Sequence, residues 1–239
     1  MLKIESLAEP LAPGPAGPIT AVLFDFSSTL VDIGEPELWL EAAWRRSGRG
    51  GSVRAGLGQD GEERLVRGLR HFWDDLRVVD PDGQRDLTPA RHRKVFGVLL
   101  ERLSGVDQAL GQALYDALPE VFTPYEEALP TLSELKRRGV RLALVSNIAM
   151  DLRPMLKRWH LLELFDTVVL SFEVGSVKPQ AAIFQRALDG LAIAPGHALM
   201  VGDDPLLDSG AALLGIRTLL LPRTRGRSHG LDLVLRVVN

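Results

Sequence analysis

The sequence predicts an α/β fold, a doubly wound and mostly parallel sheet with an inserted all-helical domain. Two observations predict the sheet. Five short apolar runs rich in Val, Ile and Leu occur at 19–26, 141–147, 167–171, 197–203 and 216–222. Strands buried on both faces read this way, as in a parallel sheet covered by helices. Helical patterns alternate with those runs from about residue 126 to residue 222, which argues for βαβ units. The third observation predicts the insert: residues 33–122 carry helical periodicity and no strand-like run.

In chain order, residues 8–18 (AEPLAPGPAGP) hold four prolines and two glycines. Such a stretch has few helix donors and little to bury, so 1–18 is expected to be a flexible lead-in. The first strand is ITAVLFDF, which ends in a lone carboxylate. Helices are expected at 35–46, 61–76, 89–104 and 107–118, with a Gly-rich break at SGRGGS (47–52). An all-helical block of this length after the first strand reads as a cap domain. It would hinge on two linkers near Val31–Ile33 and Phe122–Tyr125. EEALPTLSELKRRG (126–139) spaces Leu129, Leu132 and Leu135 three apart and stops at Gly139. AAIFQRALDGL (181–191) and SGAALLG (209–215) also read as helical. The expected organisation is therefore a core of 19–32 plus 123–239, with a cap of 33–122.

Composition narrows the function. The chain has 239 residues, 46% hydrophobic and 25% charged, with 28 basic against 31 acidic side chains. A net charge of −3 gives no electrostatic reason to expect nucleic acid. No apolar run approaches the ~18 residues of a membrane span, and no secretory signal is evident. The absence of cysteine excludes disulfides, thiolate zinc sites and cysteine nucleophiles. The default expectation is a cytoplasmic protein, acting as a monomer or homodimer.

Ligands of open α/β sheets bind beyond the carboxyl ends of the strands. The first strand ends in Asp25-Phe26-Ser27-Ser28-Thr29-Leu30, the second in Ser146-Asn147, and the fourth in Gly202-Asp203-Asp204. Lys178-Pro179 follows the third. Grouped carboxylates repel one another, so their collection on one rim suggests a divalent cation. Hard oxygen ligands favour Mg²⁺. The ammonium and hydroxyl suit the oxygens of a phosphoryl group.

Four motifs stand in order at these strand ends: FDFSSTL (24–30), LVSN (144–147), GSVKPQAAIF (175–184) and VGDDPLLD (201–208), with DLRP (151–154) and SFEVGSVKP (171–179) beside them. Over residues 19–222 the sequence resembles the haloacid dehalogenase (HAD) superfamily, in particular members with a Rossmann-like core and a helical cap after the first motif. The resemblance implies a Mg²⁺-dependent hydrolase, a phosphatase of a small phosphorylated metabolite. Asp25 would be the nucleophile that takes the phosphoryl group. Ser146 would bond a phosphoryl oxygen, with backbone N–H groups near Asn147 assisting, and Lys178 would stabilise the transferring group. Asp25, the main-chain carbonyl of Ser27 and Asp203 would ligate Mg²⁺. Asp208 completes the spacing, as a member of the metal set or by orienting Lys178 or a metal-bound water. Asp204 would contact water around the metal.

One departure matters. Phosphatases of this superfamily carry a second aspartate two residues after the nucleophile, which protonates the leaving oxygen and then activates water. This chain has Ser27 there, and acid–base help is worth ~10²–10⁴ in rate. Three readings stay open: substrates with good leaving groups, a substitute acid from water, substrate or cap, or a catalytically weak or inactive phospho-ligand-binding relative. Dehalogenases of the superfamily resemble a D-x-Y pattern without the GD of the fourth motif, so haloacid dehalogenation fits less well. The phosphonate-cleaving branch needs an early cap lysine, whereas Lys94 is the only cap lysine and falls late.

Plainer readings stand beside these. Asp25 and Asp203 would each serve as a helix N-cap, Ser146-Asn147 as a turn, and Lys178 as a surface lysine. Asp32 is a conceivable substitute acid, but reads better as a flap-turn residue. His71, His92, His160, His197 and His229 are dispersed without ligand spacing. Trp39, Trp44 and Trp73 read as cap core. Arg45, Arg46, Arg49 and Arg54 read as a solvated helix face rather than substrate readers. RTRGRSHG (223–230) reads as an exposed loop.

Overall fold

The computed structural model describes residues 17–224 and 226–238; the expected flexible stretch 1–16 lies outside them. At Gly17 and Pro18 the chain is already tied down. Gly17 O accepts from Arg217 at 2.7 Å, and Pro18 O lies 3.0 Å from His197 Nδ1.

The elements run β1 (Ala21–Phe24), β2 (Val31–Asp32), α1 (Pro36–Arg46), α2 (Val53–Val79), α3 (Pro89–Leu100), α4 (Gln108–Val121) and β3 (Thr123–Pro124). There follow α5 (Ala128–Arg137), β4 (Arg141–Ser146), α6 (Arg153–Arg158), β5 (Thr167–Leu170), α7 (Ser171–Val174), α8 (Ala181–Leu191), β6 (Ala198–Gly202), β7 (Arg217–Leu220) and α9 (Val234–Val237). The sheet has five strands in the order β5-β4-β1-β6-β7, every neighbour parallel. All five apolar runs are its strands. Within β1, Ala21 and Leu23 join the apolar cluster against α8, while Val22 and Phe24 join the cluster on the other face with Leu132 and Leu135 of α5. Both faces are covered, which is why the runs are continuous rather than alternating.

Helix positions follow the sequence with three instructive differences. The segment 208–214 is a 3₁₀ helix rather than an α-helix. Leu129 is exposed: α5 buries Ala128, Thr131, Leu132 and Leu135, a 0-3-4-7 stripe that leaves Leu129 a hundred degrees aside. Helix α2 begins earlier than the periodicity suggested, and Gly58 interrupts it at φ 71°, a conformation suited to glycine.

Between β2 and β3 every described helix is part of one inserted region with its own apolar centre. Trp39, Leu40, Leu69, Phe72, Phe96 and Leu114 pack there, separately from the two clusters that cover the sheet. Trp39 and Trp44 are buried, as expected of core tryptophans, while Trp73 is only partly covered. The short antiparallel pair β2–β3 joins insert to core, with Val31 opposite Pro124 and Asp32 opposite Thr123. No helix of the described residues is long and apolar enough to cross a membrane.

Candidate active site

The site forms where β1, β4 and β6 end side by side. After Phe24 the ladder runs one residue further, with Asp25 N donating to Val201 O at 2.9 Å. The chain then folds back tightly. Leu30 N and Val31 N both donate to Phe26 O, and Ser28 sits at φ 59°. Phe26 anchors this turn, wholly buried between Phe122 (centroids 5.6 Å apart) and Trp159 (6.4 Å). His229, from the segment read as an exposed loop, is buried instead, with Nε2 2.8 Å from Thr29 O. Neither Asp25 nor Asp203 caps a helix: no α-helix begins just after either.

At the end of β4, Ser146 is buried and faces the cavity described below. The Asn147 side chain turns instead onto the main chain of Lys178, accepting from its N–H at 2.7 Å and donating to its O at 3.0 Å. Any bond from Asn147 to a phosphoryl oxygen would thus come from the main chain. The Lys178–Pro179 peptide is cis. Lys178 is 2% exposed, so the surface-lysine reading fails. Its Nζ donates to Asp25 Oδ1 at 2.5 Å and to Asp208 Oδ1 at 2.6 Å.

Two glycines allow these elements to meet. A Cβ on Gly202 would lie 2.1 Å from Asp208 Oδ2, and one on Gly210 would lie 2.5 Å from Pro179 O. The first close approach lets Asp208 fold back under β6, where its Oδ2 accepts from Asp204 N at 2.9 Å. The second lets the 208–214 helix press on the Lys178 loop.

Asp25, Asp203 and Asp208 each present a carboxylate oxygen within 4.8 Å of the others. Burial, chiefly, pushes Asp25 up to about 8; Lys178 opposes this, while Asp208 and Asp203 add to it. Asp203 is likewise raised by burial, against the pull of Arg223. Burial would lower Lys178, but Asp208 and Asp25 outweigh it and hold the ammonium charged. Three hard oxygen donors whose proximity costs this much suit a small divalent cation. All three carboxylates already hold partners, Asp208 with Lys178 and Asp204 N, Asp25 with Lys178, and Asp203 with Arg223, so a cation would share or displace these contacts.

Asp204 differs from expectation. Its Oδ1 accepts from Leu206 N and Leu207 N, and its Oδ2 from Arg77 (2.9 Å) and Arg223 (2.7 Å). It therefore binds the insert to the core rather than presenting itself to a metal's water shell. Arg223 also bonds Asp203 while staying exposed, and 224 and 226–228 are exposed as well, so among the described residues the exposed-loop reading of 223–230 fails only at His229.

A cavity of about 330 Å³ lies between core and insert. Asp25, Ser27, Ser146, Lys178 and Asp203 line it from below; Arg70, Trp73, Arg77, Arg85, Asp86 and His92 line it from the insert. That volume suits a small metabolite. The four arginines of the first insert segment do not line it. Arg46, Arg49 and Arg54 pair with Glu120, Asp107 and Glu62, which supports the helix-face reading. The cations that do face the cavity were not singled out from sequence, since Arg70, Arg77 and Arg85 sit among many similar charges. Asp32 accepts from Gly34 N (3.1 Å) and Gly226 N (2.9 Å), as a flap-turn residue.

Comparison with known proteins follows the same lines. A family model described as haloacid dehalogenase-like hydrolase matches residues 19–213. The glyceraldehyde 3-phosphate phosphatase of Methanopyrus kandleri is 32% identical over 192 residues, 77% of this chain and 76% of that one. The phosphoserine phosphatase of Thermus thermophilus is 38% identical over 140 residues, and this match spans about half of each chain, 56% and 55%. Among solved structures, the putative HAD-hydrolase YfnB of Bacillus subtilis, bound to magnesium, superposes with a TM-score of 0.69 over 93% of this chain and 100% of that one. At 18% identity that likeness is one of fold.

Proposed function

The chain belongs to the haloacid dehalogenase-like hydrolases, and on that premise we propose that it is a Mg²⁺-dependent phosphatase of a small phosphorylated metabolite, working through Asp25. The observation that carries this reading is the placement of Lys178 Nζ between Asp25 and Asp208, with Asp203 beside them at the floor of the cleft between core and insert. The phosphatase names of its relatives support the same reaction class.

In this reading Asp25 attacks phosphorus and carries the phosphoryl group as an acyl phosphate until water releases it. Lys178 offsets the charge shared between the attacking carboxylate and the phosphoryl oxygens. Ser146 donates to one of those oxygens. Asn147 fixes the main chain from which Lys178 projects, and Asp208 holds the ammonium from behind. Asp25, Asp203 and the carbonyl of Ser27 would hold the cation, whose charge, when bound, neutralises the carboxylates and polarises the phosphoryl group. The inserted helices act as the cap that shuts water out.

Hydrolysis of acetyl phosphate with and without Mg²⁺ tests this. Activity is expected to need Mg²⁺ and to vanish in Asp25→Asn; activity that survives both chelation and that substitution refutes the reading. Ser27 favours a second reading, a phospho-ligand-binding protein without turnover. Tight binding of inorganic phosphate with no hydrolysis of any phosphate ester or acyl phosphate would select it.

A further inference from the structure

Ser27 stands in place of a carboxylate, and Asp32, which also lines the cavity, accepts from Gly34 N and Gly226 N through its two oxygens, so among the described core residues no uncommitted acid is left for the leaving group. The insert does present one. Asp86 sits on the 3₁₀ turn Gln84–Leu87 between α2 and α3, is 4% exposed, and lines the same cavity as Asp25 and Lys178.

The turn is built to stay where it is. The Asp80 carboxylate accepts from Gln84 N (3.1 Å) and Arg85 N (2.9 Å). Gly83, at φ 63°, brings the backbone against Asn147, close enough that a Cβ would lie 3.9 Å from Nδ2. Asp86 O accepts from Ser171 Oγ at 2.7 Å, and Ser171 Oγ also accepts from Ile148 N at 2.9 Å. The turn is thus fastened to the ends of β4 and β5, the rim that carries Ser146.

We infer that Asp86 is the general acid and base of the phosphatase reaction, supplied by the insert in place of a carboxylate at position 27. The inference rests on the phosphatase reading above. As Asp25 forms its bond to phosphorus and the P–O bond to the leaving group breaks, the Asp86 carboxyl gives its proton to the departing oxygen. Its carboxylate then takes a proton from the water that attacks the acyl phosphate, which frees phosphate and the Asp25 carboxylate. Both half-reactions balance, and Asp86 ends protonated, as it began.

The surroundings suit this duty. Burial, chiefly, pushes the carboxyl up to about 7, against the opposing pull of Arg85. Asp80 adds to the rise and Lys178 subtracts from it. Arg85 NH2 stands 3.3 Å from Asp86 Oδ2, but its guanidinium is shared with Asp80 at 3.1 Å. His92 Nε2 stands 3.8 Å from Asp86 Oδ1. Burial and the charges of Arg85 and Arg93 lower His92 to about 4, so it faces Asp86 neutral, and its Nδ1 shares a hydrogen bond with Tyr115 OH at 2.9 Å. Near neutrality the Asp86 carboxyl is available in both forms, as acid–base catalysis requires.

The test is Asp86→Asn in the full chain with Mg²⁺, assayed on an alkyl phosphate and on acetyl phosphate. With the alkyl phosphate, phosphoryl transfer is expected to fall ~10²–10⁴-fold. The wild-type fall in kcat/KM above a pH of about 7 should be lost. With acetyl phosphate, whose leaving group needs no proton, the variant should still take one phosphoryl group onto Asp25 and then hold it, visible by intact mass. A variant that merely misfolds would lose this transfer as well, and that result counts against the inference. Equal rates and pH profiles for variant and wild type overturn the inference alone. Wild-type protein that never becomes phosphorylated on Asp25 overturns the phosphatase reading and this inference with it.

Discussion

Lys178 stands buried between two carboxylates, and its removal isolates charge where water cannot reach. Breaking a buried pair by deleting one partner costs about 3–5 kcal/mol. Lys178→Met is therefore expected to lose phosphoryl transfer and to lower unfolding free energy in urea, more at pH 8 than at pH 5, because acid relieves the stranded carboxylates by protonation. A loss independent of pH would contradict the assigned ion pairs. Asp86 permits a second residue-scale prediction, with its sign worked out. Its folded value is raised from 3.8 to about 7, so the folded protein holds a proton that the unfolded chain releases. The stabilisation is complete below about pH 4 and is lost as pH rises through about 7. His92, lowered from 6.5 to about 4, works the other way: its contribution is complete above 6.5 and is lost as pH falls towards 4. Replacing Asp86 with Asn removes only the first slope. The variant should gain stability relative to wild type between pH 4 and 7, by on the order of 4 kcal/mol. Parallel pH–stability curves would show that Asp86 does not titrate in that window.

At the scale of elements, the close approaches are as important as the charges. Gly210→Ala sets a methyl group against Pro179, so the 208–214 helix or the Lys178 loop must move. Overpacking of this kind costs about 1–3 kcal/mol. We expect a lower Tm and a larger fall in kcat than in substrate affinity, since the loop carries Lys178. Ser171→Ala would strip Asp86 O and Ile148 N of their shared partner; leaving such buried groups unpaired costs about 1–3 kcal/mol. Its measured signature should be faster hydrogen exchange in residues 83–88, and unchanged exchange there would deny the tie between turn and rim. The sheet was legible in the sequence because strands buried on both faces must be apolar throughout, as in ALMVG of β6. Lys178 and Asp203 were legible because a parallel sheet gathers its ligands at one end. What stayed hidden depended on pairings between distant segments. Asp86 looks like any acidic residue in PDGQRDL until its turn is seen against Asn147. Arg223 looks like a loop cation until it meets Asp203 and Asp204. Leu129 shows the limit of a three-residue spacing, which drifts off the buried stripe within two turns.

Across the whole molecule, core and insert pack around separate apolar centres and meet at a cavity bordered by polar contacts. Arg77 of the insert reaches Asp204 of the core, and Ser171 of the core reaches Asp86 O. These contacts, with the β2–β3 pair, set how the two parts close. Because Arg77 is half exposed, Arg77→Ala should change stability by less than about 1 kcal/mol, the range of surface ion pairs. Its effect belongs in KM, where a looser closure is felt; a large drop in Tm with unchanged KM would mean that the contact is purely structural. Cation binding should also register globally. At a hundredfold excess over its dissociation constant, Mg²⁺ is expected to add about 2.7 kcal/mol of stability to the wild type, and clearly less to Asp203→Asn. The central claim, that Asp25 accepts a phosphoryl group with the help of Mg²⁺, is reached most directly by intact-protein mass after brief exposure to acetyl phosphate, with the modified residue located by peptide mapping. The account predicts a single phosphoryl group on Asp25, present with Mg²⁺ and absent in chelator or in Asp25→Asn. Phosphate release with no trace of an Asp25 adduct under rapid quench, or an adduct mapped to another residue, would contradict it.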